Sequence, residues 1–441
     1  MNDRPRALLL YSLPGETAAT VRRHVDALGG VEGFETRSLN VSWRLPGSLD
    51  LDCFDVVLIH YSLMAGEDVA TGPILLTPRS VARIGQSRAL KGVFLQDEHR
   101  NVRRTIQAIR DLGASAVFTC MPPQFIDAVY PTADLPGVLK VNVLTGYADP
   151  ELSARKAPAY SERPIDVGYR GRRIAFWLGR LTQEKWSIGE RFLTDAPRYG
   201  LVCDISSRED DRLYGEAWPE FLGRCKAILG TESGASVIDF DGSVRAAVDA
   251  AVAANPSIGF EEIRERFLKD VDGRISMAQI SPRCFEAAAM KTLMILYEGD
   301  YSGRLTPWKH YVPLKKDHGN MSEIVAVLRD EARVRDIVER AYVECALAPQ
   351  NSYDALRDIV RGALLRQRPS LANGTLVVEP WSDARWAVTA DENRKIGERA
   401  RRLRQLGKWL GTAVRTFVPR RFEERFRERI ARPARTLLLG R

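Results

Sequence analysis

The sequence predicts an α/β protein of two doubly wound domains that face each other across a cleft, followed by a basic amphipathic helical tail. Three observations carry this expectation. Apolar runs of strand length alternate with helical periods over residues 5–145 and again from Ile165, the rhythm of parallel sheets with helices on both faces. A polar, proline-containing stretch, ADPELSARKAPAYSERP at 148–164, separates the two runs, as a linker does. The 441 residues also exceed what one core supports. The boundaries drawn from this are 1–150 and 151–370 for the two domains and 371–441 for the linker and tail.

In the first half, Ala7–Tyr11, Phe54–His60, Val93–Gln96, Ala116–Cys120 and Leu139–Val143 read as strands, with helices over Thr17–Leu28 and Val102–Leu112. In the second, Ile165–Tyr169, Leu201–Ile205, Cys225–Leu229 and Leu293–Tyr297 read as strands. Helices over Met321–Arg329, Ala332–Ala348 and Tyr353–Leu365 are expected to close that domain. Residues 371–393 have little pattern. Beyond them Leu403, Leu406, Leu410, Val414 and Phe417 recur at helical spacing among arginines, and Phe422, Phe426 and Ile430 continue the stripe past Pro419.

Composition excludes several classes. The six cysteines form no C-x-x-C pair and the five histidines no H-E-x-x-H, so neither a disulfide scaffold nor a zinc site is expected. No apolar run reaches membrane-spanning length, and the one in MNDRPRALLLYS is short for a leader. The expected location is the cytoplasm, peripheral at the inner membrane face if the tail binds there. The formal charge of +8 is concentrated: residues 394–441 hold sixteen Lys/Arg against four Glu, leaving the first 393 residues net negative. The tail can lie on an anionic membrane surface, bind nucleic acid, or pack back on the domains; the first is favoured and no nucleic-acid partner is expected.

Ligands of doubly wound sheets sit beyond the carboxyl ends of strands. In the first half those ends carry Leu13–Glu16, His60-Tyr61 and Asp97-Glu98-His99-Arg100. In the second, Arg170, Arg172 and Arg173 follow one strand, and Glu232-Ser233-Gly234 another. Richest is Ile280–Asp317. There Ser281 and Pro282 open a helix that carries Arg283 and Glu286, and a buried strand leads to Ser302, Gly303, Lys309 and His310. A helix N-terminus with an arginine suits a diphosphate, and a carboxylate one turn on suits a ribose diol. GTESGAS lacks the GK[ST] of an ATP-binding loop, and no G-x-G-x-x-G follows the first strand, so neither ATP hydrolysis nor nicotinamide chemistry is expected.

SPRCFEAAAMKTLMILYEG resembles the carboxy-terminal signature of two-Rossmann (GT-B) glycosyltransferases, and is most similar to bacterial glycosyltransferase family 1 and spore-maturation-type members, which share R-x-F-E-A-x-A before a strand. QDEHR, VLTGY, RPIDVGYRGR, GTESGASVIDFDG and YSGRLTPWKHYVPLKKD extend the resemblance over most of residues 1–345, and HYVPLKKD is also similar to an element of protein O-glucosyltransferases. The resemblance implies a nucleotide-sugar donor held by the second domain and a glycan or lipid-linked envelope acceptor held by the first, in a hexosyltransferase-like reaction without metal or cofactor. Arg283 would contact the diphosphate and Glu286 the ribose, with Tyr301–Lys309 lining the donor pocket. His310 could reach the phosphates. One departure stands out: retaining members carry an acid eight residues before the glutamate, and here Ala278 occupies that position. An inverting enzyme would take its base from Asp97, Glu98 or His60, of which Asp97 is favoured. The alternatives are a nucleotide-sugar or glycan-binding protein without catalysis, and a nucleotide-sugar epimerase.

Overall fold

The computed structural model describes residues 4–13, 19–66, 73–377, 379 and 381–417. The expectations for the loop at 14–16, and for Phe422, Phe426 and Ile430, lie outside the described residues. In the first domain, β1 (Arg6–Tyr11), β2 (Glu35–Asn40), β3 (Val56–Ile59), β4 (Leu90–Phe94), β5 (Ala116–Thr119) and β6 (Leu139–Asn142) form one parallel sheet in the order β2-β1-β3-β4-β5-β6. In the second, β7 (Ile165–Arg170), β8 (Cys203–Ser206), β9 (Cys225–Gly230), β10 (Leu293–Tyr297) and β11 (Val312–Leu314) form another, β11-β10-β9-β7-β8, also parallel.

The central strands are buried at every position because helices cover both faces: all of β3, β4, β5 and β10 are inaccessible. Their near-continuous apolar runs made them legible. Two strands were not. β2 reads ETRSLN, with only Leu39 buried, because it is an edge strand with one covered side. β11 is three residues long and sits inside HYVPLKKD, too short a run to read as a strand.

The helix Tyr353–Gln367, expected to close the second domain, packs instead on the first: it lies against helix Ala19–Gly29 and over β4, β5 and β6. Gly92 in β4 permits this approach, since a Cβ there would lie 2.9 Å from Leu58 Cδ2 and 3.9 Å from Leu364 Cδ2. The chain therefore crosses between domains twice. The two crossings run side by side, with the Ala148 amide donating to Asn351 O at 2.7 Å. Arg163 anchors the first crossing from inside the second domain, its buried guanidinium donating to Cys225 O, Thr292 Oγ1 and Met290 O at 2.8–3.0 Å.

The segment after residue 368 is a strap rather than a loose linker. The Asp55 carboxylate, buried at the start of β3, accepts from the Arg6 amide, Thr375 Oγ1 and the Leu376 amide, each at 2.7 Å. Trp381 and Trp386 then stack around Phe54, at 4.7 and 6.4 Å between ring centroids. The helix Asp383–Phe417 runs along β2. Arg37 holds Asp383 at 2.6 Å, Asn393 donates to Asn40 O at 2.7 Å, and Glu392 accepts from the amides of Gly47 and Ser48 at 2.7 and 3.0 Å. Ile396 and Ala400 are buried against Trp43. Covering an edge strand in this way removes a row of unpaired backbone groups. For 383–400, packing on the first domain is thus the arrangement adopted, among the three open to the tail. Among the described residues no helix is long and apolar enough to cross a membrane.

Candidate active site

The carboxyl ends of β7, β9 and β10 open onto a cleft of about 410 Å³ that also reaches Thr20 of the first domain. Its floor is held by contacts between the halves. Thr145 Oγ1 donates to Ile280 O at 2.7 Å, and Gly146 lies so close to Pro282 that a Cβ would come within 2.7 Å of its ring. Opposite, the Asp239 amide donates to His99 O at 2.9 Å. Both domains therefore fix the cleft's width.

Cations converge inside it. Arg172 follows β7, is exposed, and has no side-chain partner among the described residues. Lys185 lies on helix Arg180–Asp195, drawn against β7 by Tyr169, whose hydroxyl donates to Lys185 O at 2.5 Å. Its ammonium is half-buried and, among the described residues, unpartnered. Burial lowers its pKa to about 8, Asp97 acting in the opposite direction and Arg283 and Arg172 reinforcing the fall. Arg283 stands in the first turn of helix Pro282–Ala289, donates to Arg170 O, and lays its guanidinium over the Trp218 ring at 5.0 Å. Ser281 occupies the N-cap position but makes no capping bond with its side chain; Pro282 brings no N–H and the Cys284 amide donates to Ser281 O, so of the first three helical positions the Arg283 amide alone is left without an intrahelical acceptor. Three cations and a helix start amount to an anion site.

Glu286 lines the same cleft. It accepts from Trp218 Nε1 at 2.7 Å, and burial raises its carboxyl above the ordinary value. One Trp218 ring thus carries Arg283 on its face and Glu286 on its nitrogen. Arg170 differs from Arg172. It pairs with Asp204 at 2.8 Å, donates to Asp211 O and stacks on Phe221 at 4.3 Å, so its guanidinium buttresses the strand while its backbone lines the cleft.

Several expected site residues stand elsewhere. Glu232 accepts from the Tyr301 amide at 2.9 Å and packs under Gly299, while Ser302 Oγ accepts from the Ile280 amide at 3.1 Å. These two brace the loop at 301–303, Gly303 included, against the segment before Pro282. Ser233, whose amide and carbonyl pair with Gln279, reaches the cleft. Gly234 has φ +102°, and a Cβ would sit 1.7 Å from Met277 O, so glycine is required there sterically. Lys309 and His310 both turn to Glu344, at 2.6 and 3.3 Å. None of Glu232, Ser302, Gly303, Lys309 and His310 lines the cleft. Motif order placed them in the pocket; contacts with Tyr301, Ile280 and Glu344 hold Glu232, Ser302, Lys309 and His310 away from it.

Of the three base candidates, Asp97 alone is exposed, in the loop after β4 with φ +55°, and its charge opposes the fall in the Lys185 pKa. Glu98 is buried, accepting from Thr119 Oγ1 at 2.5 Å and the Cys120 amide at 2.7 Å, with its pKa pushed up to about 7 by burial. His60 is fully buried. Its Nε2 meets His24 Nδ1 at 3.0 Å and its Nδ1 meets Ser62, and burial holds its pKa down at about 2. Neither Glu98 nor His60 presents a proton acceptor to the cleft.

Sequence reasoning missed Lys185 and Trp218 as site residues. The signal for Lys185 was present: Ile188, Gly189 and Phe192, three, four and seven residues on, form the buried stripe of its helix, and a lysine on such a stripe needs a reason to be there.

No protein-family model and no curated protein matches the chain. Solved structures do. An alpha-glucosyltransferase, in complex with UDP and a 13-mer DNA containing a HMU base, superposes with a TM-score of 0.52 at 11% identity over 82% of this chain and 100% of its own. The chain has the GT-B fold. Anabaena Alr3699/HepE in complex with UDP is also similar, at a TM-score of 0.44 and 11% identity over 82% of this chain and 100% of that one. TarM gives 0.41 at 10% identity, over 70% of this chain but 54% of TarM. In the GT-B arrangement the cleft described above is the space between the two domains; Arg172, Lys185, Arg283 and Glu286 line it, and Asp97 lines a separate, smaller recess.

Proposed function

We propose that the protein is a glycosyltransferase that moves a sugar from a nucleotide-sugar donor to a hydroxyl of a glycan or lipid-linked acceptor. The observation that carries this reading is the convergence of Arg172, Lys185 and Arg283 with an uncapped helix start in the interdomain cleft. They would hold the donor diphosphate and, as the glycosidic bond breaks, neutralise the charge that develops on it. No metal is required for that role in this proposal. Glu286, oriented by Trp218, would accept from the ribose hydroxyls. Asp97 is the proposed base for the acceptor hydroxyl. The fold relative at a TM-score of 0.52 was solved with UDP bound, which favours a uridine diphosphate donor among the candidates.

Incubation with UDP- and GDP-sugars, with and without glycan acceptors, tests the reading by nucleotide release. Acceptor-dependent release supports it. Tight donor binding without release would instead make this a binding protein, as Ala278 in place of the retaining acid would allow, and conversion of the donor sugar alone would make it an epimerase.

We propose also that the tail, beyond the part packed on the first domain, lies on anionic membrane surfaces at the cytoplasmic face; its arginines among apolar residues support this. A chain ending at residue 403 keeps the Trp43 contacts. It should lose binding to phosphatidylglycerol-containing liposomes that the full chain retains, and equal binding by both would refute the idea.

A further inference from the structure

A second, smaller recess has Asp97 in its lining. It holds about 30 Å³ and is lined by Gln96, Asp97, Arg100, Asn101 and Arg104 of the first domain and by Arg245 of the second. A sugar ring does not fit so small a space, but one charged substituent with its waters does.

The arginines here differ from their neighbours. On the same helix Arg103 faces Asp241 at 3.7 Å and Arg110 pairs with Asp134 at 2.8 Å. The Arg104 guanidinium has no partner among the described residues. Among the described residues Arg245 meets only the exposed Asp249, at 3.3 Å, and the Trp177 ring, at 5.7 Å. Of the two carboxylates at the recess, Glu98 already accepts from Thr119 and Cys120. Among the described residues, positive charge therefore exceeds negative charge beside the proposed base. The wall that presents it is built across the domain seam: the amides of Val102 and Arg103 donate to Asp239 O and Phe240 O, and the Arg245 amide donates to Asp239 Oδ2 at 3.0 Å. With those amides engaged, an incoming anion would meet side chains rather than the helix start.

We propose that this recess is an acceptor subsite for an anionic substituent, a phosphate or a carboxylate, gripped by Arg104 and Arg245 with Arg100 beside them. The proposal rests on the glycosyltransferase reading. It specifies that the acceptor carries its charge close to the hydroxyl attacked, since Asp97, the proposed base, lines the recess itself. Guanidinium forks suit both oxyanions.

The test uses the full chain saturated with UDP, so that the donor cleft is occupied, and calorimetry with glucose 6-phosphate, glucuronate and glucose. At least one charged sugar should bind tenfold or more tightly than glucose, and the stronger of the two identifies the group. The double variant R104A/R245A should lose that preference while keeping wild-type affinity for UDP, which reports an intact fold. Equal binding of all three sugars by the wild type, or a preference that survives in the double variant, overturns the proposal. If the wild type fails to take UDP, the donor reading falls on its own, and the arginine-dependent preference measured without nucleotide still decides the subsite.

Discussion

Lys185 makes the proposed diphosphate site measurable through pH. Its ammonium is half-buried, has Arg172 and Arg283 nearby and lacks a partner among the described residues, and its pKa falls from the ordinary 10.5 to about 8. A diphosphate bound there supplies the missing counter-charge and restores the ordinary value. The free-energy difference between the two states is about 3 kcal/mol at most, or roughly a hundredfold in affinity. The sign follows from which form binds. Below pH 8 the ammonium is already charged, so UDP affinity should be flat. Above it the free protein must take up a proton on binding, so affinity should weaken by about tenfold per pH unit. Calorimetry between pH 7 and 9, in two buffers of different ionisation enthalpy, reads both the affinity and the proton uptake. Lys185→Met should weaken binding at pH 7 by about 10- to 100-fold and abolish the slope. A wild type whose UDP affinity and proton uptake do not change over this range would refute the placement of Lys185 on the diphosphate, as would a variant that keeps the slope.

Three further substitutions test the framework. Glu98→Gln keeps the acceptor for the Cys120 amide and removes a buried charge. Because burial raises Glu98 to about 7, the wild type gains stability as pH falls from about 7 toward 4.5; the variant should lose that dependence and be more stable at pH 8 by about 2–3 kcal/mol in urea unfolding. Gly234→Ala drives a Cβ into Met277 O and should cost about 3 kcal/mol or more, seen as a drop in Tm; an unchanged Tm would mean that the loop does not have this conformation. Asp55→Ala strands three donors, two of them backbone amides, and should cost about 3–5 kcal/mol. Proteolysis should then cut between residues 373 and 383 in the variant and not in the wild type.

The legible parts of this protein are those governed by local pattern. The alternation of apolar runs and helical periods reported two parallel sheets because strands covered on both faces must be apolar throughout. Arg283 and Glu286 were legible because Pro282 marks a helix start and helical spacing puts both in the first turn and a half. Asp97 was legible as an exposed acid beyond a buried strand, though the reach of its charge to Lys185 was not. What failed was whatever depends on partners distant in sequence. His60 and Glu98 stand at strand ends as a base would, yet His24, Thr119 and Cys120 close over them. Lys309 and His310 are polar residues in a motif, yet Glu344 takes both.

By itself, then, the sequence determined the element types, the doubling of the sheet and the charged helix start of the second domain, since each follows from the spacing of side chains along one segment. Tertiary structure alone decided that Tyr353–Gln367 crosses back to the first domain, that the helix from 383 covers the β2 edge, and that Lys185 and Trp218 meet Arg283 and Glu286 around one cleft. Those outcomes rest on contacts between residues up to hundreds of positions apart, and a burial or a hydrogen bond of that kind leaves its mark on the sequence only as a residue that looks out of place.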